Sequence, residues 1–116
     1  MSESKEILPE TRAKSRPLQV GFIPDCDCAP IVVAKESGLF EKYEVAVELR
    51  RETRWASIRD KIIHGELDAA HAPATLPFIT NLGVESDQCA CVAGMVLSLQ
   101  GNAITISKEL WELGVR

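Results

Sequence analysis

Residues 25–28 read Asp-Cys-Asp-Cys, and residues 89–91 read Cys-Ala-Cys. Thiolates bind soft metals or exchange disulfides, whereas carboxylates take hard cations or bond the free N–H groups of a helix start. On a strand, residues i and i+2 share a side, so Cys26 with Cys28, and Cys89 with Cys91, could converge on zinc or act as a redox module. The spacing weighs against this, because structural zinc pairs commonly have two to four residues between the cysteines. The competing reading is that the thiols pack as small hydrophobes, which suits Cys89 and Cys91 in the apolar run CACVAGMVLSL. Asp25 and Asp27 are then expected to bond backbone N–H groups where a helix begins.

A second group of residues suits anion chemistry. In ETRWASIRD, residues 52–60, a helix start would aim N–H groups and the positive end of its dipole at one point. Trp55 beside that point would exclude water and offer one donor, although large aromatics more often serve as core anchors. His71 would face the same rim, as a secondary candidate to a plain packing role. His64 stands at a helix end, where a cation is stabilised, and reads as structural. Gln100 and Asn102 flank Gly101, placing two neutral donors near a tight turn. No acid/base pair, nucleophile elbow, P-loop or G-x-G-x-x-G is present, so catalysis has no support in the sequence.

These residues need elements to position them. LQVGFIP (18–24) reads as a buried strand, followed by the Asp-Cys corner and a helix with Pro30 at its start. Gly38 is placed to end that helix in a left-handed conformation. VAVEL (45–49) alternates as a second strand. Thr53 is a candidate N-cap for a helix whose apolar stripe is Trp55, Ile58, Ile62 and Ile63, with Gly65 as its stop. ELDAAHA reads as a short third strand, ATLPFITNLG as a helix with Pro77 in its first turn, and 89–99 and 102–107 as further strands. Ser107 is expected to cap a last helix, KELWELG. Strands separated by helices predict an α/β fold with a mostly parallel sheet of βαβ units. In such sheets ligands bind beyond the strands' carboxyl ends, which selects segments 25–30, 51–57 and 100–102.

The whole-chain quantities agree. With 116 residues there is room for one small domain or part of a larger one. A formal charge of −4 weighs against nucleic acid as a partner, and no apolar run reaches the roughly 20 residues of a membrane span. Residues 1–17 lack periodicity and a hydrophobic signal region, and read as a flexible arm preceding an ordered part at 18–116. As written, the chain is expected in the cytoplasm.

Three segments together, GFIPDCDCAPIVVAKESGLFEKY, RWASIRDKIIHGELDAAHA and LSLQGNAITIS, resemble the nitrate- and bicarbonate-binding proteins of bacterial ABC transporters. These have the type 2 periplasmic-binding-protein fold, and the group includes a cytoplasmic nitrate sensor controlling an antitermination regulator. The resemblance implies two α/β lobes that close on a small oxyanion, with no cofactor and no catalysis. It assigns anion contacts to Trp55, Ser57 and Asn102, and places Asp27 and Cys28 near the cleft rim. Family chains are about three times as long, so this sequence is expected to be part of the first lobe, without the second. The missing signal favours the sensor, whose partner would be the regulator. The alternative is a transporter's binding component for nitrate or bicarbonate, periplasmic if a signal has been lost, whose partner would be the permease.

Overall fold

The computed structural model describes residues 16–99 and 104–115. Along the chain run β1 (Leu18–Phe22), a one-turn 3-10 helix (Cys26–Cys28), α1 (Ala29–Glu36), α2 (Leu39–Lys42) and β2 (Val47–Arg51). There follow α3 (Trp55–Ile63), β3 (Ala69–Ala70), α4 (Leu76–Leu82) and α5 (Lys108–Glu112). The sheet has the order β2-β1-β3, and β1 is parallel to both neighbours. Val20 pairs with Leu49 on one side and Ala69 on the other. Parallel neighbours require crossovers, which α1 and α2 supply before β2, and α3 before β3. The expected α/β class with a parallel sheet is therefore what forms, and all three strands end on the same side.

Local chemistry sets the helix limits. Pro30 and Pro77 sit in the first turns of α1 and α4, where a missing N–H costs nothing. Gly38, with φ of 72°, lets the chain break between α1 and α2 in a conformation that penalises a Cβ. Ser107 caps α5 as expected, its Oγ accepting from the Leu110 N–H at 3.2 Å. The core is formed by Val47, Ile58, Leu67 and Cys28, with Ile58 wholly buried. Thr80 is also buried, and its hydroxyl bonds the carbonyls of Leu76 and Pro77 at 3.2 and 3.0 Å.

Asp68 ties the chain's first described residues to the approach of β3. Its carboxylate accepts from the Gln19 N–H at 2.8 Å and from both terminal nitrogens of Arg16, at 2.9 and 2.8 Å. Arg16 is thus held to the sheet, while residues 1–15 of the expected arm lie outside the described residues. The Gln19 N–H first, then Arg16, hold the Asp68 carboxyl below its ordinary pKa. A depressed carboxylate stabilises the fold above the ordinary titration range of about pH 4, and that contribution disappears as pH falls through the folded value. Thermal melts of the parent and Asp68→Asn should therefore differ at neutral pH and converge in acid; a difference independent of pH would contradict this.

Three sequence expectations are corrected. Residues 89–99 form no strand. The Cys89 N–H donates to the Thr80 carbonyl at 2.8 Å, and Asn81 Nδ2 donates to the Cys91 carbonyl at 2.8 Å, so the segment starts along α4 and away from the sheet. Beyond it Val92, at 91 % exposure, and Leu99, at 92 %, face water. A strand needs a neighbouring ladder, and two-residue β3 offers little edge to pair with. Residues 104–107 are likewise not strand, and 102–103 lie outside the described residues. Second, the N-cap position of α3 is Arg54 and not Thr53. Third, the second strand runs two residues later than its alternation implied, because Arg50 and Arg51 pair opposite Gly21 and Phe22.

Candidate functional site

The carboxyl ends of the three strands build one rim. After β1 the chain turns, the Asp25 N–H donating to the Ile23 carbonyl at 2.8 Å. Asp25 has extended backbone at the N-cap of the 3-10 turn, and its Oδ1 accepts from the Asp27 N–H at 3.0 Å. The expected capping role of Asp25 is thus present. After β2, the Glu52 N–H donates to the Phe22 carbonyl at 2.8 Å, which keeps the two strand exits together. The buried Glu52 carboxylate accepts from Lys61 Nζ at 2.6 Å, locking α3 to that exit. After β3, the His71 N–H donates to the Gly21 carbonyl at 2.9 Å, so His71 is held alongside the end of the central strand.

The start of α3 supplies the site's electrostatics. Arg54 is extended at the N-cap, no side chain caps the helix, and no acidic residue occupies its first turn. The positive end of the dipole is therefore left for solvent or a ligand, between the exposed Arg51 and Arg54. Trp55 opens the helix half-buried, and its ring meets His71 edge-on, with centroids 5.2 Å apart and planes at 69°. His71 is 4 % exposed; its Nε2 lies 3.6 Å from Asp25 Oδ1, and its Nδ1 has no hydrogen-bond partner.

The structure thus brings Trp55, His71 and the Asp25–Cys28 corner together, with half-buried Ser57 in the first turn of α3. The Ser57 N–H already donates to the Arg54 carbonyl at 3.1 Å. Within the corner, Asp27 exposes its carboxylate, whereas Cys28 is buried with Sγ donating to the Asp25 carbonyl at 3.0 Å. Cys28 is therefore wall and not contact. Gln100 and Asn102 lie outside the described residues. Sequence reasoning selected segments 25–30 and 51–57 but named neither Asp25 nor Arg54 as a site residue. The available signal was that Asp25 precedes the turn it must cap, while a cation and no capping side chain precedes Trp55.

The thiols do not gather. Residues 26–28 are helical, not extended, so Cys26 points to solvent and Cys28 inward. Cys89 and Cys91 approach to 4.0 Å, but desolvation and then the Cys91 thiol push the Cys89 thiol above its ordinary pKa. That disfavours the thiolate which metal binding and exchange both require. Among the described residues, no group of three or more candidate metal ligands includes a cysteine.

The model of the NMT1-like family matches residues 11–116. The chain is 45 % identical over 101 residues to the nitrate import ATP-binding protein NrtC of Synechocystis sp., covering 85 % of this chain and 15 % of that protein. It is 30 % identical over 99 residues to the bicarbonate-binding protein CmpA of Synechococcus elongatus, covering 80 % and 22 %. It is 30 % identical over 102 residues to the nitrate/nitrite binding protein NrtA of Nostoc sp., covering 84 % and 22 %. The chain thus spans between 15 % and 22 % of the length of these relatives. No solved structure matches it. With a parallel sheet, an open helix start at the strand exits, and a family match over nearly its whole length, this chain belongs to the NMT1-like family.

Proposed function

We propose that the chain forms one wall of a non-catalytic binding site for a small oxyanion, nitrate or nitrite before bicarbonate. The observation that carries this reading is the uncapped start of α3, walled by Trp55 against buried His71. Amides at a helix start are pre-aimed at negative charge, and the indole lowers the competition from water. Trp55 and Ser57 are the principal contacts on this wall. Asn102 and Gln100, outside the described residues, are assigned as further side-chain donors, and His71 as support behind Trp55. Asp27 borders the seat without donating, since its carboxylate repels anions and its N–H already bonds Asp25.

The names of the relatives support the anion class. These relatives include ATP-binding and anion-binding proteins alike, so they are compatible with a sensor module and with a carrier. In such a sensor, binding shifts a conformational equilibrium and thereby the affinity for a protein partner, such as an antitermination regulator. The second reading is a transport component that presents its anion to a permease. No described helix is long and apolar enough to cross a membrane.

A small anion stripped of water needs donors on all sides, and one wall gives only some of them. Nitrate titrated into the 116-residue chain should therefore bind weakly, shifting the amide NMR signals of residues 55–57 and the Trp55 indole N–H at millimolar concentration. Nitrate leaving those signals unmoved, or moving others instead, overturns the reading; micromolar affinity overturns the expected weakness.

A further inference from the structure

The anion reading gives His71 a supporting place and Asp27 a border, but it leaves the His71 ring nitrogens and the exposed Asp27 carboxylate without a task. His71 is almost fully buried, yet Nδ1 has no partner and Nε2 stands 3.6 Å from Asp25 Oδ1, beyond hydrogen-bond range. A buried ring with one nitrogen orphaned and the other set only loosely against a carboxylate is unusual and asks for a reason. One donor atom from each of Asp25, Asp27 and His71 lies within 4.8 Å of the other two. Without a cation, the two carboxylates repel each other across the corner.

We propose that Asp25, Asp27 and His71 form a divalent metal site, with one imidazole nitrogen and two carboxylate oxygens as ligands. Donors about 2.1 Å from one ion stand about 3.0–3.4 Å apart at octahedral or tetrahedral angles, so a pair at the 4.8 Å limit must close by about 1.4–1.8 Å. The aspartates can make that adjustment because both are exposed, while the His71 ring is held by Trp55 and its backbone by Gly21. Asp25 can ligate and still hold the Asp27 N–H, since a carboxylate accepts several bonds. The nitrogen and oxygen donors, with Cys28 Sγ turned to the Asp25 carbonyl, suit Mn²⁺, Fe²⁺ or Zn²⁺ and not a soft monovalent ion. Three ligands leave positions for water. The site stands whether or not an anion seats at α3, because neither carboxylate can serve an anion.

Mn²⁺ is the appropriate probe, because it ignores the four thiols that would capture zinc. Titrated into the chain and followed by loss of the free-ion EPR signal, it should bind once per chain. Paramagnetic broadening should strike the His71 ring and the amides of residues 25–27 first. Asp27→Asn should weaken binding at least about tenfold while keeping the N–H that bonds Asp25, so the corner stays folded. No saturable binding through millimolar Mn²⁺, broadening centred elsewhere, or unchanged affinity in Asp27→Asn would each overturn the proposal.

Discussion

Gly21→Val should destabilise the fold by about 1–3 kcal/mol, the usual range for overpacking a core. Gly21 is buried in the central strand, where a Cβ would stand 2.5 Å from Leu67 Cδ1 and 3.4 Å from Cδ2. Leu67 is itself buried, and although its side-chain tip can rotate, valine's second methyl limits where it can go. Against this stands valine's better fit to a strand, at most about 1 kcal/mol. The clash wins because it falls at the middle of the sheet, and each kcal/mol lowers the midpoint of a domain this size by about 4–8 °C. Leu67→Ala opens space and, alone, costs about 2–5 kcal/mol. Combined with Gly21→Val, it should cost less than the sum, because the inserted methyls enter the vacated volume. Strict additivity in urea or thermal melts, or a higher melting point for Gly21→Val alone, would refute the packing argument.

Trp55→Ala should reduce nitrate binding by tenfold or more. The indole is the wall of the proposed seat and its N–H a candidate donor; a hydrogen bond to a charged group contributes about 1.5–3 kcal/mol. Trp55→Phe separates the two roles, since it keeps an aromatic edge against His71 and removes only the N–H. The expected order of affinity is parent, then phenylalanine, then alanine, read from NMR shifts of the α3 amides. Alanine will also uncover the His71 ring, so circular dichroism must show that the helices persist. An alanine variant that binds nitrate like its parent would remove Trp55 from the site.

The parallel sheet was legible because its signals are local. Apolar runs at 18–24 and 45–49 alternate with helical stripes, and Pro30, Gly38, Gly65 and Pro77 punctuate them where backbone geometry demands. What the sequence concealed depends on distant partners. The run 89–99 has the composition of a buried strand, but composition does not reveal that its first residues bond α4. Thr53 has a capping side chain, yet capping also requires the backbone to turn at the right residue, and it turns at Arg54. That His71 faces the rim of Trp55 was legible from the βαβ order, but the edge-on contact of the two rings was not. The three-ligand cluster was hidden because Asp25 read as a cap and His71 as a packing residue or a secondary anion contact, and nothing local joins them.

The strand order β2-β1-β3 has a consequence for how the chain acquires its shape. The strand made first is the central one, and its second neighbour is synthesised about 50 residues later, roughly 2–10 s at ribosomal rates of about 5–20 residues per second. Throughout that interval Leu18–Phe22 presents an unsatisfied edge to whatever lies near the exit tunnel. Nascent-chain assembly should therefore be gated by the arrival of Ala69–Ala70, the shortest strand of the three.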